Sequence, residues 1–150
     1  MHLPFPERQY QRRSGWKGVI KREGATTPTV AELASAIRPQ IESIPRVFAP
    51  AGLGHPDHTL VCDAVLEVRP DAVLYADMPY TLDEPGLSLP GFADRVVTEH
   101  TLEPVPARRK VEAIACYASQ LDSLEAAFGS LLDPLRMAKE RLFLPRSGQQ

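Results

Sequence analysis

The sequence lacks a long apolar run, an excess of charge of either sign and an abundance of cysteine. No apolar stretch among its 150 residues approaches the roughly 20 residues that a membrane-spanning helix requires. The formal net charge is −2, so no basic field predicts binding to nucleic acid. The amino terminus lacks the charged and apolar regions of a signal peptide. These absences predict a cytoplasmic protein with no membrane span and no nucleic-acid partner.

Only two cysteines occur, Cys62 and Cys116, and both fall in apolar helical patterns. That placement predicts two reduced, buried thiols. Proline is the residue in excess, with 15 copies, and predicts many loops around a few short elements. The length and the hydrophobic content of 43% are ordinary for one globular domain with a core.

The first 28 residues show little regular pattern. They contain a basic stretch and Trp16, which would suit the rim of an anionic or sugar-like ligand site, but a solvated loop is the favoured interpretation. The first clear helix begins at Thr29, where Thr29 and Glu32 form the pattern of a capping box. We expect this helix to end or kink near Arg38, because Pro39 follows.

Residues 46–49 and 72–75 are short apolar runs typical of strands, and a helical pattern lies between them. That helix is predicted from about Pro56 to Val68, since proline suits a first helical position. Strand, helix and strand together make a βαβ unit. Residues 77–80 follow its second strand, at the sheet edge where ligands gather in open α/β sheets.

The remainder predicts a loop over residues 81–91 and a last strand at 95–102, antiparallel at an edge. One long helix should follow, ending at Gly129. A short helix near Pro134 and a segment at residues 142–144 that packs back onto the core complete the chain. The pattern as a whole indicates an α/β fold.

Two histidines and an aspartate fall within four residues, His55, Asp57 and His58, after the glycine-rich residues 52–54 and at the start of the helix. Imidazole and carboxylate groups bind transition metals and transfer protons. The two histidines are one helical turn apart, a rise of roughly 4.5 Å, so both rings can face one ligand. A helix-capping arrangement explains the same residues without a metal, and the residues alone favour neither interpretation.

Three segments resemble motifs of the PIG-L/LmbE-like deacetylases, in the order that the family has them. Residues 54–58, Gly-His-Pro-Asp-His before an apolar helix, resemble the second motif. Residues 76–80, Ala-Asp-Met-Pro-Tyr, are similar to the segment after the next strand, although Ala76 stands where the family has an acidic residue. Residues 117–121, Tyr-Ala-Ser-Gln-Leu, resemble the late helix with its Tyr-x-Ser-Gln signature.

The resemblance implies a Rossmann-like α/β fold, with a mostly parallel sheet and flanking helices. It also implies a zinc-dependent N-deacetylase whose substrate is a small N-acetylated, sugar-like molecule, such as an N-acetylglucosamine conjugate, or a related amide. By motif match, His58 would be a zinc ligand. His55 would stabilise the oxyanion or act as general acid, and Asp57 would tune it.

The family's first motif, a His-Pro-Asp-Asp-Glu type sequence on the first strand–helix turn, does not occur in residues 1–150. In the family it supplies two further metal ligands and the general base. We therefore expect residues 1–150 to be a single, amino-terminally incomplete deacetylase domain that lacks the first strand–helix unit, binds zinc weakly and is inactive as it stands. The loss would leave an exposed sheet edge prone to pairing, which would allow a homo-oligomer.

Two other hypotheses stay open. The chain would be a non-catalytic binding or assembly module if it kept this part of the fold for another partner. Alternatively, His55 and His58 would build a different metal site together with a partner chain. The remaining histidines, His2 and His100, are distant in sequence from this pair and are not predicted as ligands.

Overall fold

The computed structural model describes residues 27–53, 55–82 and 93–146. Within these ranges the chain forms four α-helices, a short 3-10 helix and a four-stranded sheet. The loop or ligand rim predicted for residues 1–28, with Trp16, lies outside them except at its last two residues, 27 and 28. Gly54 and most of the loop predicted for residues 81–91 also lie outside the described residues.

The helices and strands alternate in the first half of the described chain. The helices are α1 (Val30–Ile41), α2 (Pro56–Val68), α3 (Pro104–Ala115) and α4 (Ala118–Phe128). The strands are β1 (Phe48–Pro50), β2 (Val73–Tyr75), β3 (Arg95–Thr101) and β4 (Lys139–Pro145), and the 3-10 helix Arg136–Ala138 leads into β4. Within the described ranges, no helix combines the length and the apolar character that crossing a membrane requires.

Helix α1 begins with the predicted capping box. The Thr29 hydroxyl accepts a hydrogen bond from the Glu32 amide at 3.2 Å, and the Glu32 carboxylate accepts one from the Thr29 amide at 2.8 Å. The helix does not end near Arg38 but continues through Pro39 to Ile41. Pro39 lies in the last turn of the helix, where its missing amide removes only one helical hydrogen bond. The Glu42 amide still donates to the Arg38 carbonyl.

The predicted βαβ unit is confirmed. Strands β1 and β2 pair in parallel, with Phe48 opposite Val73 and Pro50 opposite Tyr75. Helix α2 joins them with the predicted bounds, since proline occupies its first turn and Arg69 caps its end.

The sheet is mixed, with the strand order β1-β2-β4-β3. The predicted α/β class is confirmed, and so is the antiparallel edge strand, β3. Less of the described sheet is parallel than predicted: β1 and β2 form a parallel pair, whereas β4 pairs antiparallel with both β2 and β3. Residues 142–144 were predicted to pack onto the core after a short helix, and they lie inside β4. Their apolar side chains suit a strand that pairs with a neighbouring strand on each side.

The single long helix predicted after Pro106 is two helices. Helix α3 ends at Ala115 with Cys116 as its C-cap, and α4 begins after Tyr117. Gly129, with φ of 75°, is the C-cap of α4 and ends that helix as predicted. The prediction of a buried Cys116 is wrong, because this thiol lies at the exposed junction of the two helices. Cys62 is buried as predicted.

The main core lies between α2 and one face of the sheet. Register places Ala49, Leu74 and Phe143 side by side on that face, and all three are buried. Helix α1 packs on the outside of α2 through Ala34 and Ala64, which have no exposed surface. The core therefore holds α2 firmly, and the first turn of α2 carries the candidate site.

Candidate functional site

The turn from β1 into α2 depends on Gly52. Its φ is +76°, a conformation that side chains rarely adopt, and a Cβ there would lie 2.7 Å from the Cα of Thr59. The Thr59 hydroxyl donates a hydrogen bond of 2.9 Å to the Gly52 carbonyl. The first turn of α2 is thus packed directly on the glycine, which fixes His55 and His58 at the carboxyl end of β1.

His55 is the N-cap residue of α2. Its Nδ1 accepts a hydrogen bond of 3.2 Å from the backbone amide of Asp57. A ring nitrogen that accepts a hydrogen bond carries no proton, so the neutral ring of His55 carries its proton on Nε2. The capping interpretation of His55 is therefore correct as far as Nδ1 is concerned, and it leaves Nε2 as a hydrogen-bond donor.

His58 lies beside a buried carboxylate, that of Asp77. The Nδ1 atom of His58 is 3.4 Å from Oδ2 of Asp77, and the same oxygen accepts a hydrogen bond of 2.6 Å from the Leu53 amide. The Asp77 side chain has no exposed surface, whereas that of His58 is 39% exposed. Nδ1 itself is buried, so the exposed surface of the His58 side chain belongs to its other atoms.

Two polar atoms at this contact have unused hydrogen-bonding capacity. Nδ1 of His58 and Oδ1 of Asp77 are buried and make no hydrogen bond to any described residue. A buried polar atom without a partner costs free energy, and a bound water, an ion or a catalytic role is what usually accounts for one. A carboxylate beside one nitrogen of a histidine is the arrangement that orients metal-ligating histidines elsewhere.

Aromatic rings surround the two histidines. The ring centroids of His55 and His58 are 5.0 Å apart, and the Tyr80 ring lies 6.2 Å from the first and 6.0 Å from the second. The Phe128 ring meets Tyr80 edge-on at 5.4 Å. Burial, and secondarily the Asp77 carboxylate, raises the pKa of the Tyr80 phenol, so it stays a neutral hydrogen-bond donor at physiological pH.

A cavity of about 360 Å³ opens between these rings and the α3–α4 junction. Among the described residues, its polar lining consists of His58, Tyr80, Tyr117 and Gln120. The other described lining residues are apolar and come from the segment after β2, from α3 and α4, and from the segment before β4: Met78, Pro79, Ile114, Leu121, Leu124, Leu131 and Met137. The cavity is large enough for a small organic ligand.

The described side chains do not complete a metal site. Catalytic zinc has three protein ligands and an open position. No three His, Cys, Asp or Glu residues within residues 27–53, 55–82 and 93–146 are grouped so that they could hold an ion. His58 has the orientation and the buried carboxylate partner, Asp77, expected of one metal ligand. The described residues do not supply the other ligands beside it.

The structure brings His55 and His58 together, while Asp57 contacts His55 through its backbone amide. His100 lies on β3, outside the cavity lining. The position of Asp77 at the carboxyl end of β2 was predicted, but its contact with His58 was not. The neighbouring ends of two parallel strands were the signal that could have revealed this contact.

Three solved deacetylase structures share the fold of this chain, which is aligned over 81% of its length in each case. A triple mutant of a deacetylase involved in the teicoplanin biosynthetic pathway is 24% identical, with a TM-score of 0.62 over 59% of that protein. The A40926 pseudoaglycone deacetylase Dbv21 is 24% identical, with a TM-score of 0.61 over 61% of its length. A deacetylase complex from the teicoplanin pathway is 25% identical, with a TM-score of 0.62 over 54% of its length.

These likenesses show that the chain has a deacetylase fold, in agreement with the fold that the motif resemblance implies. The chain spans less than two thirds of the length of each of these proteins. No protein-family model and no curated protein matches the sequence.

Proposed function

We propose that this chain carries one half of the active site of a PIG-L/LmbE-type, zinc-dependent N-deacetylase. The observation that supports it is the contact between His58 and the buried Asp77, beside a cavity at the carboxyl ends of two parallel strands. The substrate would be an N-acetylglucosamine-type conjugate or a related amide.

In this proposal His58 is one zinc ligand, and it would bind the ion through Nε2. The Asp77 carboxylate beside Nδ1 would hold the ring in that orientation and raise the basicity of Nε2. Zinc would supply Lewis-acid activation of the amide carbonyl. The described residues supply no group of three metal ligands, and the sequence lacks the motif that carries the family's general base. We therefore expect the 150-residue chain to bind zinc weakly and to show no turnover.

His55 is proposed to stabilise the oxyanion. To act as general acid towards the leaving amine, its ring would have to be protonated on both nitrogens, and it would then lose the hydrogen bond that Nδ1 accepts from the Asp57 amide. Its Nδ1 accepts from the Asp57 amide, so its Nε2–H is the donor that a developing negative charge requires. Asp57 therefore tunes His55 through its backbone amide, in addition to any effect of its negative charge. The ring centroids are 5.0 Å apart, a separation that would let both rings act on one carbonyl group.

Zinc affinity tests the role of His58 directly. Isothermal titration of the purified chain with zinc should give weak binding that His58→Ala abolishes, a larger effect than the roughly 10–100-fold loss typical of an outer-sphere change. His100→Ala is the matched control, since that ring lies on β3, and it should leave the affinity unchanged. One equivalent of zinc held through dialysis would contradict the half-site. Equal affinity in wild type and His58→Ala would remove His58 from the ligand set.

A non-catalytic binding module is the alternative, and it is favoured by the lack of a three-ligand group among the described side chains. The two proposals differ in what the upstream reading frame should encode. An in-frame His-Pro-Asp-Asp segment before Met1, together with zinc-dependent amide hydrolysis by the extended chain, would support the deacetylase. Ligand binding that is indifferent to zinc and to His58→Ala would support the module.

A further inference from the structure

The cavity beside His58 has two chemically different parts. The ring centroids of His58 and Tyr80 are 6.0 Å apart, and both residues belong to the polar lining. Apolar residues make up seven of the eleven described lining residues. Two of them, Leu131 and Met137, are almost fully buried, so part of this apolar lining belongs to the packed interior.

The cavity is larger and more apolar than an acetyl group requires. A volume of about 360 Å³ falls in the range of pockets that enclose whole small molecules. A hydrated sugar gains little from aliphatic walls, whereas each methylene moved from water onto them gains affinity of about fourfold. An apolar wall formed by Ile114, Leu121 and Leu124 is therefore suited to an aliphatic part of the ligand.

We propose that the cavity selects N-acyl amides whose acyl chain is longer than acetyl. The amide would lie at His58 and Tyr80, and the chain would lie against the apolar residues of α3, α4 and the segment before β4. This inference rests on the proposed function for the position of the amide. The binding of the chain depends only on the cavity wall.

Binding affinities of N-acyl-glucosamines of increasing chain length test the proposal on the intact 150-residue chain. Titration calorimetry with acetyl, butanoyl, hexanoyl and octanoyl glucosamine should show affinity rising with length, by at least about tenfold from acetyl to octanoyl. Octanoate, which has the chain without the amide, should bind more weakly than octanoyl glucosamine.

A filled cavity should abolish this preference. Leu124→Trp places a large ring in the apolar wall, whereas Val105→Trp places the same ring on the exposed side of α3 and is the control. We expect the octanoyl-over-acetyl ratio to approach one in the first variant and to stay unchanged in the second. Leu121→Gln, which makes the same wall polar, replaces Leu124→Trp if circular dichroism shows that the latter is unfolded.

Equal affinities for acetyl and octanoyl glucosamine, no binding of either, or an unchanged ratio in the variants would overturn the inference. Such results leave the proposed function standing if zinc binding still depends on His58. The converse outcome is that His58→Ala leaves the zinc affinity unchanged while the chain-length preference persists. That result would support the cavity inference and contradict the deacetylase half-site.

Discussion

Gly52 determines where the site histidines lie, because the first turn of α2 rests on its backbone. Gly52→Ala places a methyl group 2.7 Å from the Thr59 Cα and forces a side chain into positive φ. The conformational strain alone costs about 1–2 kcal/mol, and the backbone contact adds to it. We expect a lower free energy of unfolding in urea and a shifted α2, and, on the proposed role of His58, a lower zinc affinity.

Thr59→Ala is the control for this substitution, since it removes the hydroxyl that donates to the Gly52 carbonyl but leaves the glycine in place. Loss of one exposed hydrogen bond costs about 0.5–1.5 kcal/mol. If Gly52→Ala is no less stable than Thr59→Ala, the close approach of backbone to backbone is not what requires the glycine.

The two thiols should differ sharply in reactivity. Cys62 is 2% exposed, and burial raises its pKa to about 11, whereas Cys116 is exposed. A rise of two units lowers the thiolate fraction at pH 8 by roughly 100-fold, and only the thiolate reacts. A thiol-specific chromogenic reagent should titrate one group in the native chain and two in denaturant. The native Cys116→Ser variant should show none, and two fast thiols in the native wild type would contradict the packing of α2.

At the scale of elements, the capping box of α1 can be tested by single hydroxyl deletions. Thr29→Ala removes the side chain that accepts from the Glu32 amide and should cost about 1 kcal/mol of stability. Ser35→Ala removes a hydroxyl from the exposed middle of the same helix and should be neutral or slightly stabilising. Equal effects of the two changes on urea unfolding would show that the cap does not determine where α1 starts.

The same cap predicts a dependence on pH. Hydrogen bonds from the backbone and side chain of Thr29 lower the pKa of Glu32 below its usual value of 4.5. A carboxyl whose folded pKa is lowered stabilises the fold above its unfolded pKa, and this contribution disappears as pH falls through the folded pKa. The stability difference between wild type and Glu32→Gln should therefore be present at pH 7 and vanish in strong acid. A difference that persists there would contradict the cap.

Elements whose ends are marked by residues such as proline were predictable from the sequence. Elements whose bounds depend on contacts with distant parts of the chain were not. Helix α2 has the predicted bounds because Pro56 begins it and Arg69 ends it. The break between α3 and α4 contains neither glycine nor proline, so the apolar period runs across it unchanged. Strand β4 is defined by β2 and β3, and a short apolar run alone does not distinguish strand from buried helix.

The candidate site follows the same rule. His55 and His58 are neighbours in sequence, so one helical turn already predicts that their rings meet. Asp77 is 19 residues beyond His58 and comes near only because β1 and β2 pair in parallel and end at the same edge. The lining from Tyr117 and Gln120 depends on the α3–α4 junction, which periodicity does not reveal.

At the scale of the whole molecule, one face of the described sheet carries several strongly exposed apolar side chains. Register places Phe48 and Pro50 on the face shared with Tyr75, and Leu142 and Val96 continue that face across β4 and β3. Large apolar side chains there are strongly exposed, at 53% for Phe48, 39% for Tyr75 and 47% for Val96. Among the described strands, β1 also pairs on one side only.

An exposed apolar face beside an open strand edge predicts self-association. Sedimentation velocity over a range of concentrations should show the 150-residue chain shifting from monomer to larger species. Phe48→Ser should weaken this shift, because it removes the most exposed side chain of the face. Leu135→Ser is the control, since Leu135 is 86% exposed but precedes the 3-10 helix and lies off the sheet. A monomer at every concentration, or equal effects of the two substitutions, would show that this face does not pair.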